Sequence, residues 1–435
     1  MRKCNTCSVA VLVCLLTVVG GENILAGEET AVSQKEFGII PNSPKDQTMK
    51  IQEYLNKTAR TGGGQAYLSA GYYVVKGSLT VPTGVSFTGS WSAPHHGIIS
   101  KGTILHAYGG REAENGPALL EMQASSAVKG LTILYPEQKI TDVKPYPWTI
   151  HGRGMHNTIE NVTLVNSYQG ICIGPEGNEL HLIRNVFGCV LRRGILIDGC
   201  TDIGRIENVH FNPHYWPRSG HDGVPKDAKP NLDIAVAVYM QQHLEAFIFA
   251  RTDWEYVTNT FVFGAKVGYR FVSLQKGGCN GQFHGIGADM CQYCVLVDDA
   301  QPWGILISNG EFVAGQLHRD QAHDRVGIFT SQSFKGALQL SNCSFWGFFT
   351  NVMRLNGDGF VSMNQATINN HTPGEPSIAI NSGRASISHT FFNCKGPHVK
   401  VGPGIKKANV CNNFALGGVK IINEAGGRLT ATNNE

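Results

Sequence analysis

The sequence predicts an all-β chain wound as a parallel solenoid, and three observations carry that prediction. The motif aliphatic-x-Asn recurs along the chain, a second ladder of short alternating strands interleaves with it, and 52 glycines stand against 18 prolines. Glycine in excess without proline calls for many tight turns and excludes a long helical bundle.

The motif occurs at Ile159-Glu160-Asn161, Ile183-Arg184-Asn185, Ile206-Glu207-Asn208, Val257-Thr258-Asn259, Ile307-Ser308-Asn309 and Leu340-Ser341-Asn342, with a degenerate copy at Val410-Cys411-Asn412. The asparagines are 24 and 23 residues apart, then 51 and 50, then 33. The two long steps are near twice the basic one and read as turns that lack their asparagine. Strands such as Gly170-Ile171-Cys172-Ile173, Gly194-Ile195-Leu196-Ile197, Gly268-Tyr269-Arg270-Phe271 and Cys294-Val295-Leu296-Val297 form the second ladder. Their length and period-2 alternation fit strands, not helices. Two ladders with one common step describe a coil of several short strands, each coil covering its neighbour's apolar edge. Asparagine suits the corner of such a coil because it tolerates the left-handed backbone and its amide can bond along the stack. The leucine-rich-repeat pattern is absent, and a propeller needs a period of about 40 residues.

Taken from the amino terminus, Arg2 and Lys3 precede the apolar stretch Val9–Val19 and the small residues Gly20, Gly21, Ala26 and Gly27. This reads as an export signal over residues 1–26, implying secretion to an extracellular or periplasmic space. Residues 27–65 form an N-terminal segment with a capping helix. Ser43-Pro44-Lys45-Asp46 is its expected start, Ile51, Leu55 and Ala59 its apolar stripe, and Gly62-Gly63-Gly64 its stop. Such a helix plugs an open solenoid mouth, which otherwise exposes strand edges. The solenoid then occupies residues 66–435. Past the amino terminus no apolar run approaches the roughly 20 residues of a membrane span.

A formal net charge of +3 gives no electrostatic argument for nucleic acid as a partner. Cys4, Cys7 and Cys14 fall in the export segment, and the nine cysteines beyond it are an odd number spread through a long chain, which is not a disulfide framework. Cys291-x-x-Cys294 has no second pair at zinc spacing, so no metal site is assigned. Most of the cysteines are expected as small buried residues.

The run from Gly62-Gly63-Gly64-Gln65-Ala66-Tyr67-Leu68-Ser69-Ala70-Gly71-Tyr72-Tyr73 into Leu79-Thr80-Val81-Pro82-Thr83-Gly84-Val85 resembles the opening of the pectin lyase-like superfamily. The likeness is greatest to its pectate-lyase-superfamily and glycosyl hydrolase family 28-related members. It covers most of the chain and implies a single-stranded right-handed parallel β-helix, usually secreted and acting on polysaccharides. That superfamily holds hydrolases, lyases, epimerases and non-catalytic fibres, some of them trimeric, so the resemblance fixes neither the chemistry nor the oligomeric state.

Chemistry is sought where the ladder is most interrupted, between Asn208 and Asn259. Tyr215 and Trp216 are candidates for stacking on sugar rings, with Arg218 and His221 for hydroxyls or carboxylates. Downstream, Arg251-Thr252-Asp253-Trp254-Glu255-Tyr256 would, if extended, put Arg251, Asp253 and Glu255 on one face and Trp254 on the other. Carboxylates two residues apart on a strand stand about 7 Å apart, the spacing of an inverting glycosidase. The adjacent Arg251 would keep one of them ionised. A bend between residues 252 and 255 would destroy that face. Glu311 and His210 each follow a ladder asparagine by two places and are expected outward at equivalent positions of different coils. Asp202 and Glu207 lie in the same stretch as His210.

Asp298-Asp299 is similar to the paired aspartates of polygalacturonases, but the rest of that pattern is missing. Phe211-Asn212-Pro213-His214 is similar to an alginate-epimerase motif with asparagine in place of its aspartate. The expectation is a secreted enzyme cleaving glycosidic bonds of a polysaccharide, with Asp253, Glu255, Glu311 and His210 as catalytic candidates. Tyr215, Trp216, Arg218, His221, Arg251 and Trp254 are the binding candidates. No cofactor is required, although carboxylates on neighbouring coils can bind calcium. A uronate lyase or epimerase using His210, His243 or Arg251 as base is the second class, and a carbohydrate-binding or surface fibre the third.

Overall fold

A computed structural model describes residues 32–94, 101–220, 232–317 and 324–435 of the chain. Parallel strands stack coil upon coil into three long sheets. One coil shows the plan: Glu245–Phe249 lies in the first sheet, Thr252–Thr258 in the second and Phe261–Phe263 in the third. All pairings between coils are parallel, and inward residues align as columns. Ile173, Ile197, Phe249, Phe271 and Val297 occupy one register line of the first sheet, all fully buried. Rings stack along the interior in the same way, Phe247 on Tyr269 at 4.8 Å and Phe249 on Phe271 at 5.5 Å. Each coil thus removes its neighbour's apolar face from water, the dominant stabilising term in such a fold.

The asparagines stand at the corner between the second and third sheets. Asn161, Asn185, Asn208, Asn259, Asn309, Asn342 and Asn412 all have φ between 52 and 58°. Their amides link along the stack, Asn185 donating to Asn161 at 2.9 Å and Asn208 to Asn185 at 2.8 Å. Asn185→Ala is expected to lower stability by about 1–2 kcal/mol, since it loses both links and leaves a β-carbon residue at a left-handed φ. Asn185→Gly should recover the backbone part of that loss, as read by denaturant midpoints.

The long steps of the ladder have different origins. Between Asn259 and Asn309 one full coil intervenes, and Gly285 takes the corner with φ 60°. Between Asn208 and Asn259 no coil is skipped: Arg205–Phe211 pairs directly with Thr252–Thr258 and Phe261–Phe263. The extra length there is an insertion that carries a helix at Leu232–His243.

The capping helix α1 spans Thr48–Arg60 and buries Ile51, Tyr54, Leu55 and Thr58 over the first coils. It does not start at Ser43. Ser43–Asp46 is instead an edge strand paired with Gly71–Val75, a place where Pro44 costs no ladder bond. Asp46 Oδ1, just ahead of the Gln47 N-cap, accepts from the Thr48 N–H at 3.1 Å and its hydroxyl at 2.6 Å. The nine cysteines among the described residues are free and seven are buried. No described helix is long and apolar enough to cross a membrane. The export segment lies outside the described residues.

Candidate functional site

The corner between the first and second sheets carries an open cleft of about 490 Å³, lined by Thr201, Asp202, Asp253, Trp254, Asn280 and Trp303. Trp254 is 60% exposed and Trp303 75%. Two aromatic faces in water beside two carboxylates are what a sugar-binding cleft needs. A second hollow, about 530 Å³ near Tyr72, Lys101 and His106, has no carboxylate in its lining.

A backbone irregularity makes the cleft. Trp254 has φ 52°, and the pairing of Thr252–Thr258 with Cys279–His284 slips between Thr252 and Glu255. Such a bulge adds a residue to one strand and re-aims the side chains around it. Thr252 and Glu255 both point inward and are fully buried, while Asp253 and Trp254 face solvent. The expected shared face of Asp253 and Glu255 is therefore corrected: the bend occurs within 252–255 and sends the two carboxylates to opposite sides of the wall.

Asp253 is held from three directions. Arg251 pairs with its Oδ1 at 2.5 Å, and the same oxygen accepts from Asn280 Nδ2 at 3.1 Å and Gln301 Nε2 at 3.0 Å. Asn280 Oδ1 accepts the Trp254 N–H at 2.9 Å, and Gln301 also donates to the carbonyls of Thr252 and Gly278. Burial alone would raise the Asp253 pKa, but hydrogen bonds from Arg251, Gln301 and Asn280 outweigh it and hold the carboxyl below its usual 3.8. Asp202 stands one coil away, where Ile203 N donates to the Asp253 carbonyl at 3.1 Å.

The other candidates lie elsewhere. His210 and Glu311 face outward on the third sheet in one register line, through Phe261 and Gly287, as their common offset from the ladder predicts. Three strand steps separate them, about 14 Å, too far for one bond-cleaving pair. His210 Nδ1 bonds the Tyr215 hydroxyl at 2.8 Å. Tyr215 and Trp216, expected to stack on sugars, are 2% and 0% exposed. They close a short helical turn at Pro213–Tyr215 and pack inward beneath the inserted helix, so neither presents a ring to solvent. Arg218 is exposed nearby, and His221 lies outside the described residues.

Sequence reasoning missed Asn280, Gln301 and Trp303. The last had a readable signal, because Gln301-Pro302-Trp303-Gly304 sets a tryptophan in a Pro/Gly turn between two ladder strands, where it has no inward position.

The chain has the right-handed parallel β-helix fold. Among solved structures it is similar to the N-terminal fragment of bacteriophage phi29 gene product 12, at 11% identity and TM-score 0.65, over 93% of this chain and 69% of that one. A tailspike protein of E. coli bacteriophage HK620 matches at 9% identity and TM-score 0.60, over 92% and 80%. The catalytic domain of a GH87 alpha-1,3-glucanase matches at 12% and TM-score 0.52, over 90% and 69%. By sequence, plasmin and fibronectin-binding protein A of Streptococcus pneumoniae is 26% identical over 203 residues, which are 45% of this chain and 26% of that protein. The chain thus spans about a quarter of that relative. No family model matches the sequence.

Proposed function

We propose that this chain is a secreted carbohydrate-active enzyme that cleaves glycosidic bonds of a polysaccharide in the cleft of Asp202, Asp253, Trp254 and Trp303. The observation that carries the reading is the pair of solvent-facing tryptophans set beside carboxylates from two adjacent coils. Sugar rings stack on the indoles, and the polymer crosses the coils. Asp253, held ionised by its three donors, acts as base toward water or as nucleophile, and Asp202 delivers the proton to the leaving oxygen. Structural neighbours support the class: the HK620 tailspike was solved in complex with a hexasaccharide and the glucanase with nigerose. Export rests on the charged and apolar amino-terminal segment.

The test is digestion of a panel of neutral and uronic polysaccharides, with and without calcium, by the wild type and Asp253→Asn. Reducing ends without ultraviolet-absorbing unsaturated ends, lost in the variant, support a hydrolase. Unsaturated ends move the protein to the lyases, and equal activity of the variant removes the cleft from the mechanism.

The charge network also sets a pH dependence. Since hydrogen bonds lower the folded-state pKa of Asp253, its stabilisation is present above the ordinary value and is lost as pH falls through the lower folded one. The acid limb of kcat/KM is expected below pH 3.8. Arg251→Ala leaves burial less opposed and should move that limb upward.

A further inference from the structure

Beneath the cleft floor, inside the coil, lies a second cluster. Register places His181, Gly204 and Glu255 on one line of the second sheet over three successive coils, each preceding a paired residue: Leu182, Arg205 and Tyr256. Gly204 has no side chain, so His181 and Glu255 meet across it, Nε2 to Oε1 at 3.0 Å. Cys200 enters from the neighbouring inward column, where it pairs with Asn178 and Thr252. A ligand atom from each of His181, Cys200 and Glu255 lies within 4.8 Å of the other two, and all three residues are fully buried.

The cluster is electrostatically incomplete. Glu255 Oε2 and His181 Nδ1 are buried without a hydrogen-bond partner. With Nε2 turned to the carboxylate, Glu255 Oε2 and His181 Nδ1 stay unmet, and the Cys200 thiol beside them reaches only as far as the Asp202 carbonyl, at 3.7 Å. Leaving such atoms unmet costs about 1–3 kcal/mol each, more for a charged group. A cation supplies what they lack.

We infer that His181, Cys200 and Glu255 form a buried transition-metal site, zinc by preference, that staples three coils under the cleft. Imidazole, thiolate and carboxylate are the donor types zinc takes in proteins, whereas calcium and magnesium take oxygen. Binding releases the thiol proton to solvent, and with every donor sealed from water the ion enters as the coils close. Glu255 adjoins Trp254, and Cys200 is two residues from Asp202, so the site positions the cleft without touching substrate. The inference does not depend on the cleft's chemistry.

The test reads metal, not activity. The chain is unfolded, stripped with chelator and refolded with Zn²⁺ or with Co²⁺. The expected result is near-stoichiometric metal by elemental analysis and a near-ultraviolet thiolate-to-cobalt band. Cys200→Ser should lose the band, Cys279→Ser, a neighbouring buried thiol, should keep it, and Glu255→Gln should retain metal at least 10-fold more weakly. Far-ultraviolet circular dichroism confirms that each variant is coiled, and Glu255→Gln tests the site should Cys200→Ser not refold. A folded wild type with substoichiometric metal and no band would overturn the inference, leaving a bare or hydrated His–Glu pair. A band unchanged in Cys200→Ser would overturn it equally.

Discussion

Asp253→Asn is expected to lower kcat on the polysaccharide about 10³-fold with little change in fold. General acid–base groups contribute roughly 10²- to 10⁴-fold, and here the substitution removes the charge while the amide keeps the shape. The environment shows why the charge matters. Asn280 and Gln301 donate to Asp253 Oδ1 and Arg251 forms an ion pair with it, so the site is organised around an anion. A neutral amide leaves the Arg251 cation without its counter-charge, but the pair is partly solvated and the stability cost should stay near 1 kcal/mol. Activity losses caused by unfolding would instead shift the denaturant midpoint along with kcat. This expectation rests on the reading of the cleft as a hydrolase.

Gly204→Ala should be strongly destabilising. An added β-carbon would lie 2.1 Å from His181 Cε1, 2.3 Å from His181 Nε2 and 2.3 Å from Glu255 Oε2. Those atoms cannot retreat, because both side chains are fully buried and hold each other at 3.0 Å. Overpacking of this kind costs about 3 kcal/mol. Splitting the His–Glu contact adds the penalty of an unpaired buried carboxylate, also about 3 kcal/mol or more. Gly177→Ala is the control, since nothing lies within 4 Å of a β-carbon there. Equal midpoints for the two variants would contradict the packing described.

Much of the coil was legible in the sequence because its determinants are local. An asparagine at φ 52 to 58° between two apolar strands needs no distant partner to be recognised. The doubled step between Asn208 and Asn259 was misread because spacing alone cannot distinguish a corner without asparagine from an insertion. The site was less legible for the same reason. Period-2 alternation, carried back from inward-facing Val257, places Glu255 inward, and His181, Gly204 and Glu255 each precede a ladder asparagine by four residues. That offset was readable. The bulge at Trp254, which brings Asp253 back out to solvent, shows only in the slipped pairing with the next coil and left no local mark. Tyr215 and Trp216 looked like a sugar platform because adjacent aromatics in a Pro-rich loop are usually wet, but the inserted helix covers them.

The proposed cleavage requires carbohydrate to lie between Trp254 and Trp303, over Asp202 and Asp253. The most direct measurement is a crystal structure of Asp253→Asn with the longest oligosaccharide recovered from the polysaccharide panel. Sugar rings are expected on both indoles, with a glycosidic oxygen within hydrogen-bond reach of Asp202. Sugar bound only elsewhere, for example along the third-sheet face of His210 and Glu311, would contradict it.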